Sequence, residues 1–187
     1  LDNATFINNT ASDGGGAIYS LGLLTLDNAT FINNTSSDGG AISSYKLLTL
    51  DNAAFINNTA YMGGAISYYG TLNCSDSRFI DNYAEWGSSI FSENAPLNVC
   101  NSFFTSGRSD KFGQICAFNS IVNVENSQFI NISSAYASAL YLEGCEFSII
   151  DSRFVNLTAD ITSGAIAARQ SGNSYILGCE FINTKSF

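Results

Sequence analysis

Histidine is absent from this 187-residue chain, which holds one proline, one methionine and one tryptophan, and only 12% of its residues are charged. Without imidazole, His-dependent hydrolases and His-ligated metal centres are excluded. Cations are scarce: 7 Lys and Arg face 16 Asp and Glu, for a net charge of −9. That balance offers no positive field for phosphates, so nucleic acid and anionic membrane are poor partners and acidic substrates are disfavoured. No apolar run approaches the roughly 18 residues of a membrane helix, so direct helical insertion is not expected. The five cysteines include no CxxC pair, and an odd count leaves at least one unpaired. Cys74 and Cys179 fall in apolar or small-residue columns, and free, mostly buried thiols are the expectation.

Asn, Ser, Thr and Gly fill the space that charge leaves, an extracellular kind of surface. They come in repeats. LDNATFINNT at Leu1 to Thr10 recurs unchanged at Leu26 to Thr35, returns with one substitution at Leu50 to Thr59, and then decays into FIDN, FINI, FVNL and FINT. The repeat phenylalanines are Phe6, Phe31, Phe55, Phe79, Phe104, Phe129, Phe154 and Phe181, spaced 24 to 27 residues apart. A period of that size is the mark of a solenoid.

Two residues before each Phe the side chain is small, from Ala4 to Cys179, and apolar residues stand five and seven before it, as at Leu26 and Leu24. Spacing by two is a strand face, and the jump of three between the pairs marks a corner, filled by turn-forming DN, SD, CN or EN. A further apolar column, Ile18, Ile42, Ile66, Ile90, Ile115, Leu140 and Ile166, follows each Phe at eleven or twelve residues and is preceded by glycines suited to another corner. No segment holds helical periodicity beyond a turn. The reading is an all-β parallel β-helix, a single β-solenoid domain over residues 1–187. It has about eight coils of three strands, each pairing with the next at about 4.8 Å. Asn9, Asn34, Asn58 and Asn82, three after the Phe, are placed to form an amide ladder that stops at Gly107.

FxxN followed by GGAI, as at Phe6 to Asn9 with Gly15 to Ile18, at Phe31 with Gly39 and at Phe55 with Gly63, resembles the repeats of polymorphic outer membrane proteins. More widely it is similar to the pectin-lyase-like right-handed parallel β-helices, including cell-surface adhesin-like chains. The resemblance implies right-handed coils, and it opens the alternative of a polysaccharide lyase or hydrolase, or an inactive carbohydrate-binding relative. No catalytic constellation is readable. Asp76 and Asp151 share a register three coils apart, roughly 14 Å, too far for paired glycosidic acid–base chemistry. Asp76 and Asp81 straddle one strand with only Arg78 as a basic neighbour.

Three groups of residues invite chemistry. Asp2, Asp27 and Asp51, four before the Phe in successive coils, form a carboxylate ladder that could attract Ca²⁺, although no calcium-loop motif accompanies it. Tyr19, Phe91 and Tyr141 follow the Ile column and are expected as scattered aromatics on an outer face. The strongest signal is N-glycosylation. Sequons at Asn8, Asn33, Asn57, Asn131 and Asn156 stand two after the Phe in one vertical stripe, and Asn3, Asn28, Asn34 and Asn73 add four more. Glycans would solubilise a surface poor in charge.

The functional expectation is therefore a non-enzymatic extracellular or cell-surface structural β-solenoid, N-glycosylated along one face. It would serve as a filament subunit, a surface stalk or an adhesin passenger. The chain opens on a full-strength repeat and stops soon after the last one without an amphipathic cap. Its expected partners are thus like subunits stacked end to end, or further coils of a longer chain.

Overall fold

A computed structural model describes residues 1–187 as β-strands and corners with no helix. Three parallel sheets run the length of the molecule. The Phe sheet holds eight Phe strands, from Thr5–Ile7 to Glu180–Ser186; the Ile sheet holds seven, from Ile18–Ser20 to Ile166–Arg169; the Leu sheet holds seven, from Leu24–Asp27 to Tyr175–Leu177. The chain thus completes seven turns and adds one more Phe strand. The eight repeat phenylalanines mark eight strands but only seven closed coils.

Register is set by the repeat. Phe6 pairs with Phe31, Leu24 with Leu48 and Ile18 with Ile42, so like residues stack on like. The Phe rings lie 4.6 to 5.1 Å apart and within 6° of parallel along all eight Phe strands. Isolated aromatic pairs prefer offset or edge-on packing. Here the rise between paired strands imposes the face-to-face stack. The six inner rings, Phe31 to Phe154, are fully buried, each worth about 1.5–3 kcal/mol of transfer free energy.

Two columns of residues in the left-handed region turn the chain. Two after the Phe stand Asn8, Asn33, Asn57, Asp81, Ser106, Asn131, Asn156 and Asn183, with φ between 52° and 58°. Three before it stand Asn3, Asn28, Asn52, Asp76, Asn101, Asn126 and Asp151, with φ between 47° and 52°, and then Gly178. Most side chains lose about 1–2 kcal/mol in this region, and Asn and Asp tolerate it best. At the corner before the Ile strand, Gly39 and Gly63 have φ of 67° and 61°, and a Cβ on either would fall within about 2 Å of a backbone oxygen.

The coil also carries a feature that its period does not announce. In the middle of the molecule a fourth strand follows the Phe corner, at Thr59–Met62, Tyr83–Trp86 and Arg108–Phe112. In the last three coils it fuses with the Phe strand into seven-residue strands, Gln128–Ser134, Arg153–Ala159 and Glu180–Ser186.

Candidate functional site

Asn8, Asn33, Asn57, Asn131 and Asn156 are exposed and in register, as are Asn3 and Asn28 in the other corner column; Asn73 is half-buried. Backbone geometry alone accounts for Asn at all but Asn73 of these positions, since each sits at positive φ. Their amides partly bond one another. Asn57 Nδ2 donates to Asn33 Oδ1 at 2.8 Å and Asn156 Nδ2 to Asn131 Oδ1 at 3.0 Å, while the amide nitrogens of Asn8, Asn33 and Asn131 have no partner. Asn34 is different. Its amide is buried, and both N–H groups are committed, to Asn58 Oδ1 at 2.9 Å and to the Phe6 carbonyl at 3.1 Å, so that sequon is closed.

Asn34 belongs to the predicted ladder of Asn9, Asn34, Asn58 and Asn82. From Asn34 on, each rung's oxygen accepts the backbone N–H and a side-chain N–H of the preceding Asn, at 2.8 to 3.1 Å. At Gly107 the ladder ends because Gln114 occupies the slot: an added Cβ there would lie 2.1 Å from Gln114 Nε2. Gln114 is fully buried; its Oε1 accepts from Ser89 Oγ and its Nε2 has no partner.

A second ladder was legible only as a run of small residues. Ser77, Ser102, Ser127 and Ser152 each accept the backbone N–H of the preceding coil at 3.1 to 3.2 Å and donate to the carbonyl two residues back at 2.7 to 2.8 Å. Cys179 Sγ takes the last place, accepting from Ser152 N at 3.4 Å. Cys145 occupies the equivalent place behind Ser120 at the third corner, bonding the Glu143 carbonyl as Ser120 bonds that of Phe118. All five thiols are free. Burial pushes Cys74 up to about 12 and raises Cys116, Cys145 and half-buried Cys100, so none of these four is poised as a nucleophile.

The carboxylates stack without converging. Asp2, Asp27 and Asp51 are in register and exposed, with Ser75 Oγ donating to Asp51 Oδ1 at 2.9 Å, and no three acidic or thiol groups gather as a metal cluster anywhere. A ladder fixed by strand pairing points its oxygens in parallel, whereas Ca²⁺ needs six to eight around one point. Asp76, Asp81 and Asp151 are exposed corner residues at positive φ. Two acids do share one depression with a base: Asp110 and Asp160 flank Ala135 beside Arg108. Asp110, however, already accepts from Tyr83 and pairs with Arg108 at 3.4 Å.

The aromatics following the Ile column are not a scattered surface set. Tyr19 is 54% exposed, but Phe91 and Tyr141 are buried in a second apolar cluster outside the solenoid core, covered by Trp86, Phe112, Phe118 and Tyr136. Phe118 ends the Ile strand Ile115–Phe118, and the rest of the cover comes from the fourth strand and its corner, where an extra residue in Arg108–Phe112 shifts the register and brings Phe112 opposite Trp86. Nearer the start, Tyr19, Tyr45 and Tyr69 form a row with ring centroids 5.6 and 4.8 Å apart. Beside it, the buried Asp38 accepts from Ser43 Oγ and Tyr69 OH, each at 3.0 Å. Burial, and then the Asp38 charge, hold the Tyr45 phenol above its ordinary value.

This fold defines a class, the three-sheet parallel β-solenoid whose corners are turned by asparagine and whose coils are joined by stacked Phe, Asn and Ser. Within it, residues 3–21 and 28–45 match the Chlamydia polymorphic membrane protein repeat, so the first two coils are similar to that repeat. No curated protein matches the chain.

Proposed function

We propose that this chain is part of a non-enzymatic cell-surface β-solenoid that acts as a passenger, holding an adhesive surface away from the cell. The carrying observation is the pair of matched repeats lying in an unbroken stack of parallel strands. Labelling of intact cells with a membrane-impermeant amine reagent tests the location. Labelled Lys46 and Lys111 are expected; a chain labelled only after lysis would overturn the reading.

The exposed sequons at Asn8, Asn33, Asn57, Asn131 and Asn156, with Asn3, Asn28 and Asn73, support N-glycosylation of this surface. Because coils stand about 4.8 Å apart, we expect partial rather than full occupancy, favouring positions whose amide nitrogen is unengaged. Site-resolved mass spectrometry of natively sourced protein checks this, and an unmodified mass would reduce the stripe to corner chemistry. A strand edge left unpaired at the end of a stack can pair with another copy, and on that basis we propose end-to-end association into filaments. Its expected sign is sedimentation that increases with concentration; a monomer at all concentrations would remove the filament and leave the stalk.

A further inference from the structure

Outside the ladders, the outer face of the Ile sheet holds a cleft of about 270 Å³ at its first two turns, lined by Asp13, Gly14, Tyr19, Asp38 and Tyr45. It is built rather than incidental. Gly14, at φ 76°, lets the Tyr19 ring lie over the corner, since a Cβ there would fall 2.6 Å from Tyr19 Cδ2. Tyr19 meets Tyr45 at 61°, an edge-on arrangement that keeps at least one ring face clear of the other.

Asp38 is the unusual member, only 8% exposed. A carboxylate offers about four lone-pair sites, and neutral hydroxyls fill two of them here. A buried charge ordinarily has a counter-charge. The chain supplies none. There is no Lys or Arg before Lys46, and the three ion pairs of the molecule involve Glu85, Asp110 and Glu180.

What completes such a site is a cation that donates N–H groups to Asp38 and Asp13 and lays its stem or plane against tyrosine. A neutral sugar would leave both carboxylate charges unmatched, and an anion would be repelled. We infer that this cleft receives the side chain of an arginine or lysine presented by a partner protein. The inference goes beyond the surface reading above: it names the chemistry of a contact and stands on the cleft alone.

The test is titration of the ¹⁵N-labelled whole chain with Gly-Gly-Arg-Gly-Gly, and separately with the same peptide carrying uncharged citrulline. Saturable shifts are expected at Gly14, Asp38, Ser43 and Tyr45, with citrulline weaker by about tenfold or more, as loss of a charge-assisted pair implies. Asp38→Asn, which keeps an oxygen for one of the two hydroxyls, should remove the shifts with the rest of the spectrum unchanged. Tyr45→Leu should weaken them while retaining bulk. Equal response to citrulline, persistence in Asp38→Asn, or no saturable shift at these residues would overturn the proposal. Tighter binding of free spermidine than of the arginine peptide would overturn the assignment to a partner protein.

Discussion

Between Asn9 and Asn82 the corner after the Phe strand is closed by a buried amide ladder, whereas from Gln128 onward the same position carries Ile132 and Leu157 and the corner straightens into one long strand. The two regions share the Phe stack and differ in how a rung is satisfied. A buried amide needs its groups paired, and along the ladder the neighbouring amides supply those partners until Asn82, whose Nδ2 donates to the Phe55 carbonyl. An apolar rung needs only its volume filled. The later coils also repeat at the third corner a device used at the Leu–Phe corner, a residue at positive φ followed by a small buried one: Asn94 with Ala95, Asn119 with Ser120, Gly144 with Cys145. The first three coils lack it.

The comparison is broken most severely by removing what the regions share. Phe55→Ala and Phe129→Ala should each cost about 3–5 kcal/mol in denaturant unfolding, and similar values on both sides would identify the stack as common ground. Asn58→Leu should cost on the order of 1–3 kcal/mol for each group it orphans on Asn34 and Asn82, and Leu157→Asn should be comparably harmful for the opposite reason, an amide placed between Ile132 and Thr184. The boundary can be moved. Gly107→Asn alone should destabilise by collision with Gln114, while Gly107→Asn with Gln114→Ala should continue the ladder, giving a favourable coupling of about 0.5–3 kcal/mol in a double-mutant cycle. The smallest effect is expected from Ala53→Ser, which offers the Ala29 N–H the acceptor that Ser77 gives Ala53, for a gain of about 0.5–1.5 kcal/mol. Thiol labelling under mild denaturant shows which region opens first, since Cys74 reports on the earlier coils and Cys116 and Cys145 on the later ones.

Much of this was written in the residues. The period, the three apolar columns, the corners and the amide ladder follow from repeats of Phe, Leu, Ile and Asn at fixed offsets. Three things did not follow. Asparagine two after the Phe serves a backbone at positive φ and a sequon with the same letters, so spelling alone does not separate Asn33, exposed, from Asn34, closed by its neighbours. And Phe91 and Tyr141 look exposed in any one coil. Their cover, Phe112 and Tyr136, arrives from another corner through a one-residue bulge that no period records. The serine spine lay between these cases, visible as small residues but silent about hydrogen bonds, because Ala4, Ala29 and Ala53 meet the same steric need without them. The cleft at Asp38 was hidden likewise, since Asp13, Tyr19 and Tyr45 fall in different columns.

Every ladder in this molecule is closed between nearest neighbours, and Leu1 to Thr10 and Leu26 to Thr35 are letter-for-letter alike. Insertion or deletion of one such coil by unequal recombination would leave each surviving contact with an equivalent partner and change the reach of the molecule by one step of about 4.8 Å. The solenoid is in that sense a ruler to which lineages can add graduations, and length is the property selection can adjust with the least disturbance to the rest.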